Sequence, residues 1–419
     1  MNIARTLVTR TLGLITLVTA FAVAPAAADV VTDWNAITLA VANAGNRPAP
    51  AIILDIAMSQ IAVHDAIQAY QGRFATFNPR IPNASGSPIA AAARAARDVL
   101  VDRFPAQATA IEATYQNYLT ARGLFDTDPG ASVGQQAALR ILIRRAHDGS
   151  YPVNAEVFVG GTAPGEWRPT PTGFAPMSAP WFGRVEPFNA KWSHRAEHGA
   201  PPPPHLESRK YARAYNEVKA LGARSNSART ADQTDLAYFY SDNFFSQMNR
   251  AVRAIADAHL VDIGDSARLL ALANMAAADA LITAWDHKRT YFFWRPSTAI
   301  AEGDHDGNPD TVGDPTWLPL INNPPYPDYT SGANSLTAAF MRILSRAFGD
   351  DTLTFDLTSN VAQVVRKTRT YSRFSDVAAD VVDARIYLGI HFRFADTVAR
   401  RQGEQAADSV LRHLLRPVR

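Results

Sequence analysis

Proline is segregated in this chain: 11 of its 27 prolines fall between Tyr151 and Lys210. Proline cannot donate to a helical ladder and clashes with the preceding turn. The stretches on either side are free of that constraint, and their apolar residues recur at helical spacing. Ile56, Met58, Ile61, Ala62, Ala66 and Ile67 mark one such face within residues 52–70. The same texture predicts helices over 36–42, 90–103, 105–121 and 130–148 ahead of the proline-rich stretch. Beyond it, helices are predicted over 208–221, 231–245, 249–258, 266–286, 334–348, 375–388 and 395–415. No strand pattern of any length and no fixed-period repeat is visible. The expected fold is all-α, a multi-helix bundle. Trp167, Phe174, Trp181 and Phe188 punctuate the excursion over 151–210, which predicts that it packs over the core instead of hanging as a free linker. Pro201 to Pro204 read as a short extended spacer on the surface.

The front of the chain reads as an address. Arg5 and Arg10 precede an apolar run from Leu12 to Val23, and Ala26, Ala27 and Ala28 supply small residues before a cut ahead of Asp29. The run is short of the roughly 20 residues that span a bilayer, which predicts a cleaved signal and an exported protein. No later stretch is read as a membrane span, and 29–419 reads as a single helical domain. Without its first 28 residues, the chain balances 39 Lys+Arg against 39 Asp+Glu. That neutrality argues against a nucleic-acid binder, which needs a basic footprint. The chain has no cysteine, so disulfides, zinc–cysteine sites, iron–sulfur clusters and thiol nucleophiles are excluded.

Three segments interrupt helical pattern with residues suited to anions. In the first, Lys288, one of only five lysines, is followed seven positions on by Arg295 and Pro296. Pro296 disfavours helix at Arg295, so the arginine is expected to swing off the helix end. In the second, a proline-rich approach leads to Ser331 and Gly332 at a predicted helix start. Ser331 is expected to cap that helix, leaving free backbone N–H groups around Gly332 as an anion cradle. In the third, Arg385 and His391 are six apart, about 240° around a helix, and Gly389 offers the break that brings both to one pocket. Each segment alone is ordinary. Together they offer three cations, two neutral donors and an imidazole, a set that suits a tetrahedral oxyanion with one nitrogen in line with its centre.

The order Lys-x6-Arg-Pro, then Ser-Gly, then Arg-x5-His resembles the vanadium-dependent haloperoxidase and type-2 phosphatidic acid phosphatase superfamily. Asp33-Trp34-Asn35-Ala36, Val63-His64-Asp65-Ala66, the stretch from Gly165-Glu166-Trp167 to Phe188, and Asp306-Gly307-Asn308-Pro309 look like its exported bacterial haloperoxidase branch. The resemblance implies a helical fold with an oxyanion pocket between helix ends, vanadate as cofactor, and hydrogen peroxide with a halide or a small organic substrate as partners. It implies that His391 is the metal ligand, and that Lys288, Arg295, Ser331, Gly332 and Arg385 hold the equatorial oxygens. The phosphatases use the matching histidine as nucleophile, because bound vanadate resembles a phosphoryl-transfer transition state.

The sequence departs from the family pattern beside the cradle. The histidine that usually follows Ser-Gly is Ala333, and a general acid–base group there commonly contributes about 10²–10⁴-fold. Ala384 replaces a usual serine, and the aspartate often found four places past the histidine is Ala395, with Asp396 one step further. His287, His305 and Asp328 are the substitute proton donors on offer. Three functions follow as candidates: a vanadium haloperoxidase, an acid phosphatase with His391 as nucleophile, and a non-catalytic vanadate- or phosphate-binding protein. Asp304, Asp306, Asn308 and Asp310 mimic the start of a calcium loop, but Pro309 and Pro315 stand where its glycine and bidentate glutamate are needed. A solvated turn is expected there.

Overall fold

A computed structural model describes residues 29–192 and 199–418. The expected signal over 1–28 lies outside the described residues. The first helices are α1 (Val30–Ala44), α2 (Ile52–Gln71), α3 (Pro88–Arg103), α4 (Ala108–Thr120) and α5 (Pro129–Arg145). Their starts follow from local chemistry. The Asp29 carboxylate accepts from the Val31 and Thr32 amides, Ser87 and Asp128 cap α3 and α5, and Pro88 and Pro129 begin those two helices. After the excursion come α6 (Arg209–Leu221), α7 (Ala231–Phe239), α8 (Phe244–His259), α9 (Ile263–Tyr291), α10 (Pro296–Ala301), α11 (Gly332–Ala347), α12 (Phe374–Tyr387) and α13 (Arg393–His413).

The bundle is organised around α9, a helix of 29 residues. It packs on α2 on one side and on α11 and α13 on the other, so it belongs to the core of both halves. Alanines dominate its contact faces, and Ala271, Ala273, Ala276, Ala277, Ala278, Ala280 and Ala284 are fully enclosed. Small side chains let neighbouring backbones approach on every face, which is what a helix buried all round requires.

Three expectations need correcting. The helix expected over 231–245 is broken: α7 ends at Phe239, and the Asn243 side chain caps α8 by accepting from Ser246 N at 3.1 Å. The run of Tyr238, Phe239, Tyr240, Phe244 and Phe245 keeps an apolar texture through the turn and hides it. The fold is helical, but one antiparallel hairpin is present, β1 (Thr352–Thr358) paired with β2 (Thr368–Arg373). Its strands are six or seven residues long, with only Phe355, Leu357 and Tyr371 turned inward, which is too short an alternation to stand out. Finally, two helical stretches, 49–71 and 263–291, are long and apolar enough to cross a membrane by length and composition. Both are buried inside the protein, so their apolar character is that of core helices.

The proline-rich excursion lies against α9. Asp279 of α9 accepts from Phe188 N at 2.7 Å and Asn189 N at 3.0 Å, while the Trp192 indole donates to Thr283 Oγ1 at 2.8 Å. Trp167, Phe182 and Phe188 are buried, whereas Phe174, expected with them, is 64% exposed. Burial pushes the Asp279 carboxyl up to about 7, against the pull of the two amides that hold it.

Candidate active site

The chain leaves α9 at Phe292, whose φ of 27° turns it sharply, and Arg295 follows in extended backbone just before Pro296. Lys288 therefore stays on the last turn of α9 while Arg295 swings off it. The Lys288 ammonium donates to the carbonyls of Pro327 and Asp328, at 2.6 and 2.9 Å. Arg295 Nε donates to the Tyr326 carbonyl at 2.8 Å, and its Nη1 to the Ile390 carbonyl at 2.6 Å. The same Nη1 lies 3.1 Å from His391 Nε2. Both cations also sit on the Tyr326 ring, 5.0 and 4.9 Å from its centre.

Gly389 supplies the break between α12 and α13, with φ of +78°. It brings Arg385, on the last turn of α12, and His391 to the same end of the bundle. Arg385 Nη1 donates to the Tyr240 carbonyl at 3.2 Å, a group that the turn between α7 and α8 delivers. Ser331 and Gly332 open α11. Ser331 takes the N-cap position but its side chain does not cap, contrary to expectation. Its oxygen instead accepts from Asn334 Nδ2 at 3.3 Å, and that amide also donates to Asp396 at 2.7 Å. The first amides of α11 thus keep no intrahelical or capping partner and form a positive helix end. Gly332 permits this approach: a Cβ there would come 2.8 Å from the Trp285 ring.

All six predicted residues are buried at this one end of the bundle. Gly332 and Arg385 line a cavity of about 200 Å³ together with Tyr326, Trp285, Phe244 and Ala333. Lys288, Arg295 and His391 meet behind Tyr326. Of the substitute donors, Asp328 belongs to the site, with Oδ1 2.7 Å from His391 Nδ1. His287 contacts Gln402 and the Ala200 amide, and His305 is exposed. Sequence reasoning missed Asn334, Tyr326 and the Tyr240 carbonyl, and named Asp396 only as one step past the usual aspartate. Only Asn334, three places past Ser331, carried a signal, as a polar group on the first turn. The calcium-like stretch folds into a turn whose acceptors are used locally, with Asp306 Oδ1 accepting from Asn308 N and Thr311 Oγ1.

The electrostatics of the site are unbalanced. Burial and the surrounding cations hold the His391 pKa well below its ordinary value, so the ring is neutral. Burial and the neighbouring Arg295 pull Lys288 well below its usual range, and burial lowers Arg385 to about 10. Burial raises Asp328 to about 7 and lifts Asp396 well above the carboxylate range. The carboxyls thus compensate the three cations only in part. Arg295 Nη2 and Arg385 Nε are buried donors with no partner. Buried unpaired charge is costly, and an oxyanion would satisfy both the charge and the donors. The residues present therefore fit vanadate or phosphate.

An expected result follows for pH. Affinity for phosphate falls as pH rises through the depressed pKa of Lys288, because the neutral amine no longer attracts the anion. Lys288→Met should weaken binding by roughly 10- to 100-fold, the value of one charged hydrogen bond, and flatten that alkaline loss. Calorimetric titration of both proteins over the neutral-to-alkaline range decides it; parallel pH profiles would exclude Lys288 from anion binding.

Residues 268–419, which carry all six site residues, match the family model of the VCPO second helical-bundle domain. The vanadium chloroperoxidase of Curvularia inaequalis is 25% identical over a 296-residue alignment, which covers 54% of this chain and 47% of that protein. The chain thus spans about half the length of the curated relative it matches. A bacterial vanadium-dependent iodoperoxidase shares the fold with a TM-score of 0.72 at 21% identity, over 93% of this chain and 96% of the other. An apo-type bacterial vanadium-dependent chloroperoxidase superposes with a TM-score of 0.70 at 18% identity, over 87% and 93%. The C-terminal part of the chain, residues 268–419, thus resembles the second helical-bundle domain of the VCPO family, and nearly the whole chain shares the helical fold of the bacterial vanadium-dependent haloperoxidases.

Proposed function

We propose that the protein is a vanadium-dependent haloperoxidase, which uses hydrogen peroxide to oxidise a halide or a small organic substrate at vanadate held by His391. The observation that carries this reading is the buried, incompletely compensated trio Lys288, Arg295 and Arg385, with unpartnered donors on Arg295 and Arg385. Vanadate, when bound, would supply the activation of peroxide. The chain's own part is electrostatic. The three cations and the amides at the start of α11 neutralise and orient the anion, and His391 offers a neutral nitrogen to its centre. Tyr326, Trp285 and Phe244 exclude water around the cations, which strengthens every charge interaction in the pocket.

A peroxide-dependent halogenation assay on the purified protein, with and without vanadate, tests the proposal. Activity that requires vanadate is the expected result. Hydrolysis of a generic phosphomonoester without halogenation would instead identify a phosphatase with His391 as nucleophile. Ala333 favours a second reading, an oxyanion-binding protein without turnover, because it offers no imidazole where the family pattern has a histidine after Ser-Gly. Vanadate binding without either activity would establish it.

The proposal includes export, on the strength of the charged, apolar and small-residue order over 1–28. Mass spectrometry of protein from its native host should find a chain that starts at Asp29. A retained Met1 in a membrane fraction would replace export by anchoring.

A further inference from the structure

We propose that Asp328 is the positioning residue for His391, fixing its tautomer so that the proton sits on Nδ1 and the bare Nε2 faces the oxyanion. The inference rests on the reading that His391 bonds the centre of a bound anion. It extends that reading to a residue on a different element, the loop ahead of α11.

The argument is one of donors and acceptors. Asp328 Oδ1 lies 2.7 Å from His391 Nδ1, and the side chains are 0% and 1% exposed, so no water competes. Arg295 Nη1 lies 3.1 Å from Nε2 and 3.5 Å from Nδ1, close to both ring nitrogens, so it selects neither tautomer. A neutral imidazole has one donor nitrogen and one acceptor, so the short contact to the ionised Asp328 carboxylate assigns the proton to Nδ1 and leaves the lone pair on Nε2.

The carboxylate is itself held in place. The Asp328 amide donates to the Phe293 carbonyl at 2.9 Å, and its own carbonyl accepts from Lys288 at 2.9 Å. A cation of the pocket thus fixes the backbone that carries the orienting group. At the start of α13, Ala395 has no side-chain acceptor, and Asp396 Oδ1 accepts from Asn334. The second oxygen of Asp328 has no hydrogen-bond partner, so the carboxylate is not committed to another donor. An imidazole with its proton on Nε2 would point a hydrogen, instead of a lone pair, at the site of bonding. Orienting partners of this kind commonly contribute about 10- to 100-fold to binding at the group they orient.

The test reads the ring directly. Protein with ¹⁵N-labelled histidine is examined by two-bond ¹H–¹⁵N correlation, with His391→Gln assigning the resonances, and vanadate affinity is measured on the same samples. The wild type should show the proton on Nδ1. Asp328→Leu, which removes the acceptor, should lose that single tautomer and weaken vanadate binding by roughly 10- to 100-fold. Asp328→Asn keeps an acceptor of the same shape and should retain the tautomer and most of the affinity. A wild-type ring protonated on Nε2 overturns the proposal without need of any variant. So does a folded Asp328→Leu protein with unchanged tautomer and affinity. Wild-type protein that shows the expected tautomer but binds no vanadate would count against the haloperoxidase reading and leave the role of Asp328 standing.

Discussion

Vanadate binding to His391→Ala protein is expected to be weaker than to wild type by on the order of 10²-fold or more. The three cations set the comparison. Each donates hydrogen bonds to the anion, and losing one charged bond costs about 1.5–3 kcal/mol, or roughly 10- to 100-fold. On the proposed reading, His391 contributes a bond to the centre of the anion. Its ring is neutral, so removing it leaves the charge balance of the pocket nearly unchanged. The loss should therefore appear as affinity and not as misfolding, which helical circular dichroism would check. Affinity within about tenfold of wild type would mean that the cations alone hold the anion. His391 would then not be the ligand.

Ala333→His should leave vanadate binding within about tenfold of wild type and raise turnover on the order of 10²-fold or more. Holding charge and delivering protons are separate jobs. Ala333 takes no part in the first, since it offers no polar side-chain atom. It is half-buried on the first turn of α11 and lines the cavity shared with Gly332 and Arg385. That cavity has a volume of about 200 Å³ into which a longer side chain at this position could extend. The helix start favours the neutral ring, which can exchange a proton near neutral pH. An unchanged rate in a variant built on active wild-type protein would show that another group already supplies the proton. Asp328 would then be the first residue to test, because it alone among the substitutes reaches the site.

The sequence was most informative where a residue type has few uses. A lysine in a chain with five of them, a proline directly after an arginine, and a glycine between Arg385 and His391 each specified a local geometry that the structure reproduces. Helices were legible from apolar spacing wherever one face met solvent. That spacing failed between Phe239 and Phe244, where aromatic residues flank a short turn and carry the apolar texture across it. It failed again at the hairpin over 352–373, whose inward residues are too few to form a pattern. The capping role expected of Ser331 was lost to competition, since its oxygen accepts from Asn334, whose amide is held in turn by Asp396 from 62 positions away. The contacts of Asp328 and of the Tyr240 carbonyl are set by chain crossings more than 60 positions apart, which spacing rules do not reach.

Helix α9 has one further consequence. Asp279 grips the excursion and Lys288 serves the pocket, and they lie nine positions apart, about two and a half turns, so they face opposite sides of one rod. Removing or adding a single residue between them would rotate one end against the other by about 100°. Either the excursion would lose its clasp or the ammonium would turn away from the loop at Asp328. The segment from 279 to 288 thus behaves as a gauge of fixed length, intolerant of insertion. The loop over 303–327 carries no such phase requirement, and variation in chain length is more easily accommodated there than anywhere along α9.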